Sequence, residues 1–348
     1  MRKENKQHIH PLVADRGTPL EPPITDKFGR TFNYLRLAVN EHCNLRCIYC
    51  MPEEGAPFLD QAQLLSTNEI KIILRAMSDL GVKKVRFTGG EPLLRKDIID
   101  LIKYSSQRSI FESVHITTNG LLLSNYIDQL EQAGLNGINI SLDTLDAEKF
   151  KKITRRDEFQ KVIKGLNAAI LSDIKHIKVN VVTMRDFNQN EILDFVELTK
   201  TNDITVRFIE LMPFDSHQIW KTGKYYGADK ILRHLREKIK HLRPISGSNT
   251  EYHIFQIDGY KGRVAVIPSF TRTLCKKCNR IRITADGKLL NCLYSKKETN
   301  IRDVIRQGLS NELIKDMIRQ AMSEKMIDGW RAQRQGNDSR GSMTQIGG

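Results

Sequence analysis

Residues 32–52 read FNYLRLAVNEHCNLRCIYCMP. The run 34–39 has the apolar content of a buried strand with one arginine, Arg36, set inside it, and the chain then turns into a loop bearing Cys43, Cys47 and Cys50. A strand that carries functional groups on the loop beyond its C-terminal end is the layout of a βα unit. The rhythm repeats outward from there. Strand-like runs fall at 34–39, 84–88, 113–117, 137–142, 177–182 and 205–210, alternating with amphipathic helical runs at 97–104, 125–133, 159–171 and 190–199. Another helix is announced by Ser66 with Glu69 three residues on, a capping box ahead of Ile70, Ile72 and Leu74. Six such units predict an α/β fold with a parallel sheet. That number exceeds a flavodoxin-like sheet and falls short of a closed eight-fold barrel.

After Met212 the rhythm stops. A basic helix over 229–240 leads to strand-like runs at 252–256 and 262–267, and then to a second triplet, Cys275, Cys278 and Cys292. A hairpin-like stretch over 281–293 turns at Ala285-Asp286-Gly287, and helices follow at 301–307 and 311–325. The chain therefore divides into a polar segment (1–31), a βα portion (32–213) and a C-terminal region (214–348), with no repeat beyond the βα units.

A chain of 348 residues can bury a sizeable core. The polar, basic start has no signal-peptide character and no run approaches a membrane span, so a cytoplasmic protein without a membrane partner is expected. In that reducing compartment the 6 cysteines are read as metal ligands, not disulfides. Zinc would need a fourth ligand at each triplet, and His42 is poorly placed to supply one. Three thiolates on a four-iron cluster, by contrast, leave one iron open to a small molecule. The net charge of +14 points to anionic partners, which admits a metal-stabilised nucleic-acid-binding protein. Against that class, the basic residues are spread along the chain and not interleaved with aromatics, so no nucleic-acid partner is expected.

The stretch from Cys43 to Pro52, taken with Thr88-Gly89-Gly90-Glu91-Pro92 after the second strand, resembles the radical S-adenosylmethionine (SAM) enzymes. The resemblance implies an open partial (β/α)6 TIM-like barrel and a first 4Fe-4S cluster on Cys43, Cys47 and Cys50. The open iron would chelate the amino and carboxylate groups of SAM, whose cleavage gives a 5′-deoxyadenosyl radical. Tyr49, Gly90, Ser141 and Met212 are the matching cofactor-binding positions. Their ordinary alternatives are a βα turn for the glycines, a capping serine and a core methionine.

Cys275 through Gly287, with Cys292 beyond and Ile346-Gly347-Gly348 at the end, is similar to the C-terminal motif of the GTP 3′,8-cyclases (MoaA family) of molybdenum cofactor biosynthesis. This implies a lyase with a second 4Fe-4S cluster in a C-terminal domain that closes the barrel opening. GTP would lie between the clusters, with Arg36, Arg86, Thr117, Lys178, Arg280 and Arg282 on the substrate and Arg280 and Arg282 also catalytic. The radical would take hydrogen from ribose C3′, and C3′ would then bond to C8 of guanine. Arg280 and Arg282, alternating on a strand, would project to one side. Arginines inside apolar parallel strands are costly without an anionic partner. The family's partners would be a reductase or flavodoxin-type electron donor and a cyclic pyranopterin monophosphate synthase that takes the product. The oligomeric state is open, a homodimer included. A peptide-modifying radical SAM maturase with an auxiliary cluster is the nearest rival, but it would be expected to carry more cysteines and would not need the arginine pair.

Overall fold

The computed structural model describes residues 21–55, 57–107, 110–212, 223–247, 253–271, 273–334, 340 and 342–347. Six βα units come first, as the periodicity predicts. Their strands are β1 (Tyr34–Ala38), β2 (Lys84–Thr88), β3 (Ser113–Thr118), β4 (Gly137–Ser141), β5 (His176–Thr183) and β6 (Ile204–Glu210). The helices between these strands are α1 (Thr67–Asp79), α2 (Ile98–Ser106), α3 (Leu123–Gln132), α4 (Ala147–Thr154), α5 (Phe159–Leu171) and α6 (Ile192–Thr201), with α4 and α5 both following β4. The capping box forms at α1, where the Glu69 amide donates to Ser66 Oγ (3.3 Å) and the Ser66 amide to Glu69 Oε2 (2.7 Å). The short α4, not foreseen from sequence, starts on Asp146, which accepts from the Lys149 amide at 2.8 Å.

The C-terminal part adds α7 (Ala228–Lys238), β7 (Leu242–Ile245), β8 (His253–Ile257), β9 (Arg263–Ile267), β10 (Arg280–Ile283), β11 (Lys288–Leu290), β12 (Thr299–Asn300), α8 (Ile301–Arg306), α9 (Asn311–Ser323), α10 (Gly329–Arg334) and α11 (Met343–Ile346). These strands do not form a sheet of their own. One sheet runs β12-β11-β10-β1-β2-β3-β4-β5-β6-β9-β8-β7. β10 lies parallel to β1, and β9 parallel to β6. The barrel wall is thus eight parallel strands, six from the βα units and one on each flank from the C-terminal region. All eight contribute side chains to one cavity, so the sheet wraps around it. Leu35, Leu37, Val85, Phe87, Ile116, Ile138 and Val179 on the other face pack into the core.

The polar N-terminal segment, given no role from sequence, is tied in where it is described. Arg30 is buried against Asp26 (2.6 Å) and donates to the carbonyls of Cys275 (2.9 Å), Met326 (2.8 Å) and Ile327 (3.1 Å). No helix among the described residues is long and apolar enough to cross a membrane.

Candidate functional site

Both cysteine triplets open onto the same cavity, of about 310 Å³. The first sits on the loop after β1. The second is split, with Cys275 and Cys278 just before β10 and Cys292 just after β11. The antiparallel turn between those strands is what brings Cys292 back to the other two.

Around the first triplet the two loops after β1 and β2 lock together. The Gly90 amide donates to Asn40 O (3.0 Å), the Glu91 amide to His42 O (2.7 Å) and Asn40 Nδ2 to Glu91 O (2.9 Å). This contact explains the glycine pair. A Cβ on Gly89, whose φ is +142°, would come within 2.3 Å of Asn40 O, and one on Gly90 within 2.1 Å of His42 O. The close approach these glycines permit is thus first to the cysteine loop itself, while Gly90 also lines the cavity. Glu91, fully buried, accepts from the Thr118 hydroxyl (2.8 Å), the Leu93 amide (3.0 Å) and the Asn119 amide (2.7 Å). Burial pushes Glu91 up to about 7 against those three hydrogen bonds. Asn119 in turn points its side-chain amide at Cys43 Sγ (3.7 Å). Tyr49 donates its hydroxyl to Asp143 Oδ2 at 2.6 Å, and Asp143 Oδ1 accepts from the Val182 amide at 2.7 Å. Ser141 and Met212 line the cavity at the ends of β4 and β6.

At the other end the sheet register makes an unusual row. Arg36 on β1 stands opposite Arg86 on β2 and opposite Arg282 on β10. Neighbouring strands lie about 4.8 Å apart. Two unit charges about 5 Å apart repel by about 3 kcal/mol at an effective dielectric of about 20, so this row favours an anion in the cavity. Burial, with Arg36 and Arg280 beside it, holds Arg282 well below its ordinary value. Tyr34, opposite Arg280, lies under Arg86 and Lys84, each 5.4 Å from its ring centre. Burial would raise its phenol, but the charges of Arg86, Arg36 and Lys84 outweigh it and bring the group down to about 7.

The two triplets differ electrostatically. Burial pushes Cys50 up to about 12 and raises Cys43 and Cys47, so in the bare protein these stay thiols. Burial would likewise raise Cys278, but Lys325 and Arg280 hold it down to about 5. Among the described residues no three His, Cys, Asp or Glu side chains are grouped as a single metal ion requires. A tetrahedral zinc shell would set its sulfurs about 3.8 Å apart. A cluster takes one thiolate per iron, so each set of three thiols fits a 4Fe-4S cluster with one iron left open.

Of the residues singled out by sequence, all six cysteines, Tyr49, Gly90, Ser141, Met212, Arg36, Arg86, Thr117, Arg280 and Arg282 line this cavity. Lys178 does not. It lies two residues before Asn180, which does, and so about 6.6 Å lower along β5, where its charge bears on His115. Sequence reading passed over Arg207, whose Nε and Nη2 donate to Asn180 Oδ1 at 2.9 and 2.5 Å and which lines the cavity. An arginine inside an apolar parallel strand was signal enough, as it was for Arg36 and Arg86. Asp143, Tyr34, Arg30 and Lys325 were missed as well, since each acquires its place only through tertiary contact.

A parallel barrel with three thiols on the loop after its first strand, locked to a Gly-Gly-Glu-Pro loop, defines a radical SAM enzyme. Residues 37–199 match the Radical SAM superfamily and 204–328 match Molybdenum Cofactor Synthesis C. The chain is 42% identical over 325 residues to the GTP 3′,8-cyclase of Chlorobaculum tepidum, covering 93% of this chain and 97% of that protein. It is 38% identical over 333 residues to the GTP 3′,8-cyclase of Desulforamulus reducens, covering 93% and 100%. The chain belongs to the GTP 3′,8-cyclase family. Molybdenum cofactor biosynthesis protein 1 of Bos taurus is 44% identical over 304 residues, which are 87% of this chain but 48% of that longer protein. Streptococcus suis SuiB bound to S-adenosylmethionine shares the fold at 15% identity, with a TM-score of 0.55 over 84% of this chain and 66% of that one.

Proposed function

We propose that this protein is a GTP 3′,8-cyclase, a lyase that converts GTP to (8S)-3′,8-cyclo-7,8-dihydroguanosine 5′-triphosphate in the first step of molybdenum cofactor biosynthesis. The observation that carries the reading is the single cavity into which both triplets and the arginine row face. The first cluster and SAM together would supply a 5′-deoxyadenosyl radical able to take the hydrogen from ribose C3′. Tyr49, Gly90, Ser141 and Met212 hold SAM on the side of Cys43, Cys47 and Cys50. Arg36, Arg86, Thr117, Arg280 and Arg282, joined by Arg207, orient GTP, while Lys178 adds charge from below. Placed as fixed donors in the cavity wall, the arginines need no reorganisation as charge moves on the substrate. Arg280 and Arg282, with Lys325 beside the second triplet as well, can deliver a proton to the cyclised nucleotide or hold one. Residues 32–213 generate the radical and 214–348 hold the base, with Arg30 of the described part of the N-terminal segment bracing the second triplet. A reductase or flavodoxin-type donor supplies the electron, cyclic pyranopterin monophosphate synthase takes the product, and the work is done in the cytoplasm.

The test is anaerobic incubation of reconstituted protein with GTP, SAM and dithionite. The reading expects 5′-deoxyadenosine and a cyclised GTP to form together. Arg280→Ala should abolish GTP turnover with the iron content of both sites intact. Zinc in place of iron, or 5′-deoxyadenosine formed without GTP dependence or any cyclised product, would overturn it.

A further inference from the structure

The C-terminal segment is part of the cavity wall, and one side chain fastens it there. Met343 and Thr344 line the cavity, Ser342 Oγ donates to Cys50 O at 2.8 Å, and Gly347 O accepts from Arg282 Nη1 at 3.2 Å. Gly347 has a φ of +69°, and a Cβ there would meet Ala38 and Thr88 at 3.1 and 3.2 Å. Gly348 lies outside the described residues.

Arg340 sits just ahead of this segment and gathers three carboxylates from three separate loops. Its Nε donates to Glu298 Oε1 at 2.6 Å and its Nη2 to Glu298 Oε2 at 3.1 Å. Nη2 also reaches both oxygens of Asp286 at 3.1 Å, and Nη1 lies 3.8 Å from Glu41 Oε1. The same Nη1 donates to Gln345 O at 3.2 Å, so the guanidinium grips the tail as well as the carboxylates. Glu298 lies ahead of β12, Asp286 is in the turn between β10 and β11, and Glu41 is on the loop that leads to Cys43. The Arg340 side chain is 12% exposed and that of Glu41 1%, so these charges meet largely out of water. Planar, bidentate pairing of this kind is the geometry that arginine makes and lysine cannot. Taking away this guanidinium would leave three carboxylates converging with the tail no longer held.

We propose that Arg340 is a positioning residue: by bridging Glu298, Asp286 and Glu41 it seats residues 342–347 in the cavity wall, and so fixes the Gly347 carbonyl against Arg282. It touches neither the thiols nor the arginine row, and acts through the tail. The consequence for turnover rests on the GTP cyclase reading; the seating of the tail does not.

Full-length reconstituted Arg340→Ala, Arg340→Lys and Glu298→Gln are compared with wild type by hydrogen exchange of the peptide spanning 342–347 and by cyclised GTP formed per 5′-deoxyadenosine. Arg340→Ala should exchange at least tenfold faster at 342–347, with β1 protection and iron content unchanged, and its product ratio should fall about tenfold. Arg340→Lys should fall between the two, because the ammonium keeps the charge and loses the paired geometry. Unchanged tail exchange in Arg340→Ala overturns the proposal, as does a loosened tail with an unchanged product ratio. Should Arg340→Ala fail to fold, Glu298→Gln carries the same readouts, and unchanged tail exchange there is equally fatal. If wild type makes no cyclised GTP, the activity reading fails while the exchange result still decides whether Arg340 seats the tail.

Discussion

Tyr34→Phe isolates the electrostatics of the cavity in a single atom. The Tyr34 phenol has a pKa brought from the ordinary 10.0 to about 7. Its folded-state pKa lies below the unfolded one, so ionisation favours the fold. The contribution is absent well below pH 7, grows as pH rises through 7, and is complete above 10. Lowering the phenol from 10.0 to about 7 corresponds to about 4 kcal/mol at the plateau and about 2.7 kcal/mol at pH 9. Wild type should therefore gain stability over Tyr34→Phe by about that amount between pH 6.5 and 9. Chemical denaturation at a series of pH values measures it, and phenolate absorbance near 295 nm, taken as the difference between the two proteins, reads the ionisation directly. An anion that neutralises Arg86 and Arg36 must push the phenol back towards 10, so inorganic tripolyphosphate or GTP should move the 295 nm midpoint upward. A Tyr34 that titrates only above pH 9 would refute the reasoning, as would a midpoint near 7 that triphosphate leaves in place.

Gly90→Ala sets a Cβ within 2.1 Å of His42 O, which only a backbone shift can relieve. It should cost several kcal/mol and roughly halve the iron bound, seen by calorimetry and metal analysis. Replacing Cys47 by Ala should remove one cluster and abolish SAM cleavage, whereas Cys278→Ala should remove the other and abolish cyclised product, the 5′-deoxyadenosine it still forms no longer depending on GTP as it does in wild type. Iron analysis and chromatography distinguish the two.

The barrel was legible because each βα unit writes its own period, and the thiol loops were legible because cysteine spacing is local. What the sequence could not announce were pairings between distant segments. β10 beside β1 and β9 beside β6 turn six parallel strands into eight, and no local pattern encodes partners 246 and 58 residues apart along the chain. The arginine row shares that cause, for Arg36, Arg86 and Arg282 become neighbours only through the register. Lys178 shows the converse limit. Its strand and its inward alternation were readable, but its depth along the barrel was not, and depth keeps it out of the cavity lining. The glycines at 89 and 90 were recognised for a real need, close approach, though the structure shows that loop packing makes the first demand on them.

One cavity brings the radical generated at the first triplet to ribose C3′ of GTP. GTP carrying deuterium at C3′, turned over anaerobically with unlabelled SAM and dithionite, tests it most directly. Deuterium should appear in the 5′-deoxyadenosine at a yield matching the cyclised product. Unlabelled 5′-deoxyadenosine accompanying full cyclisation would contradict it.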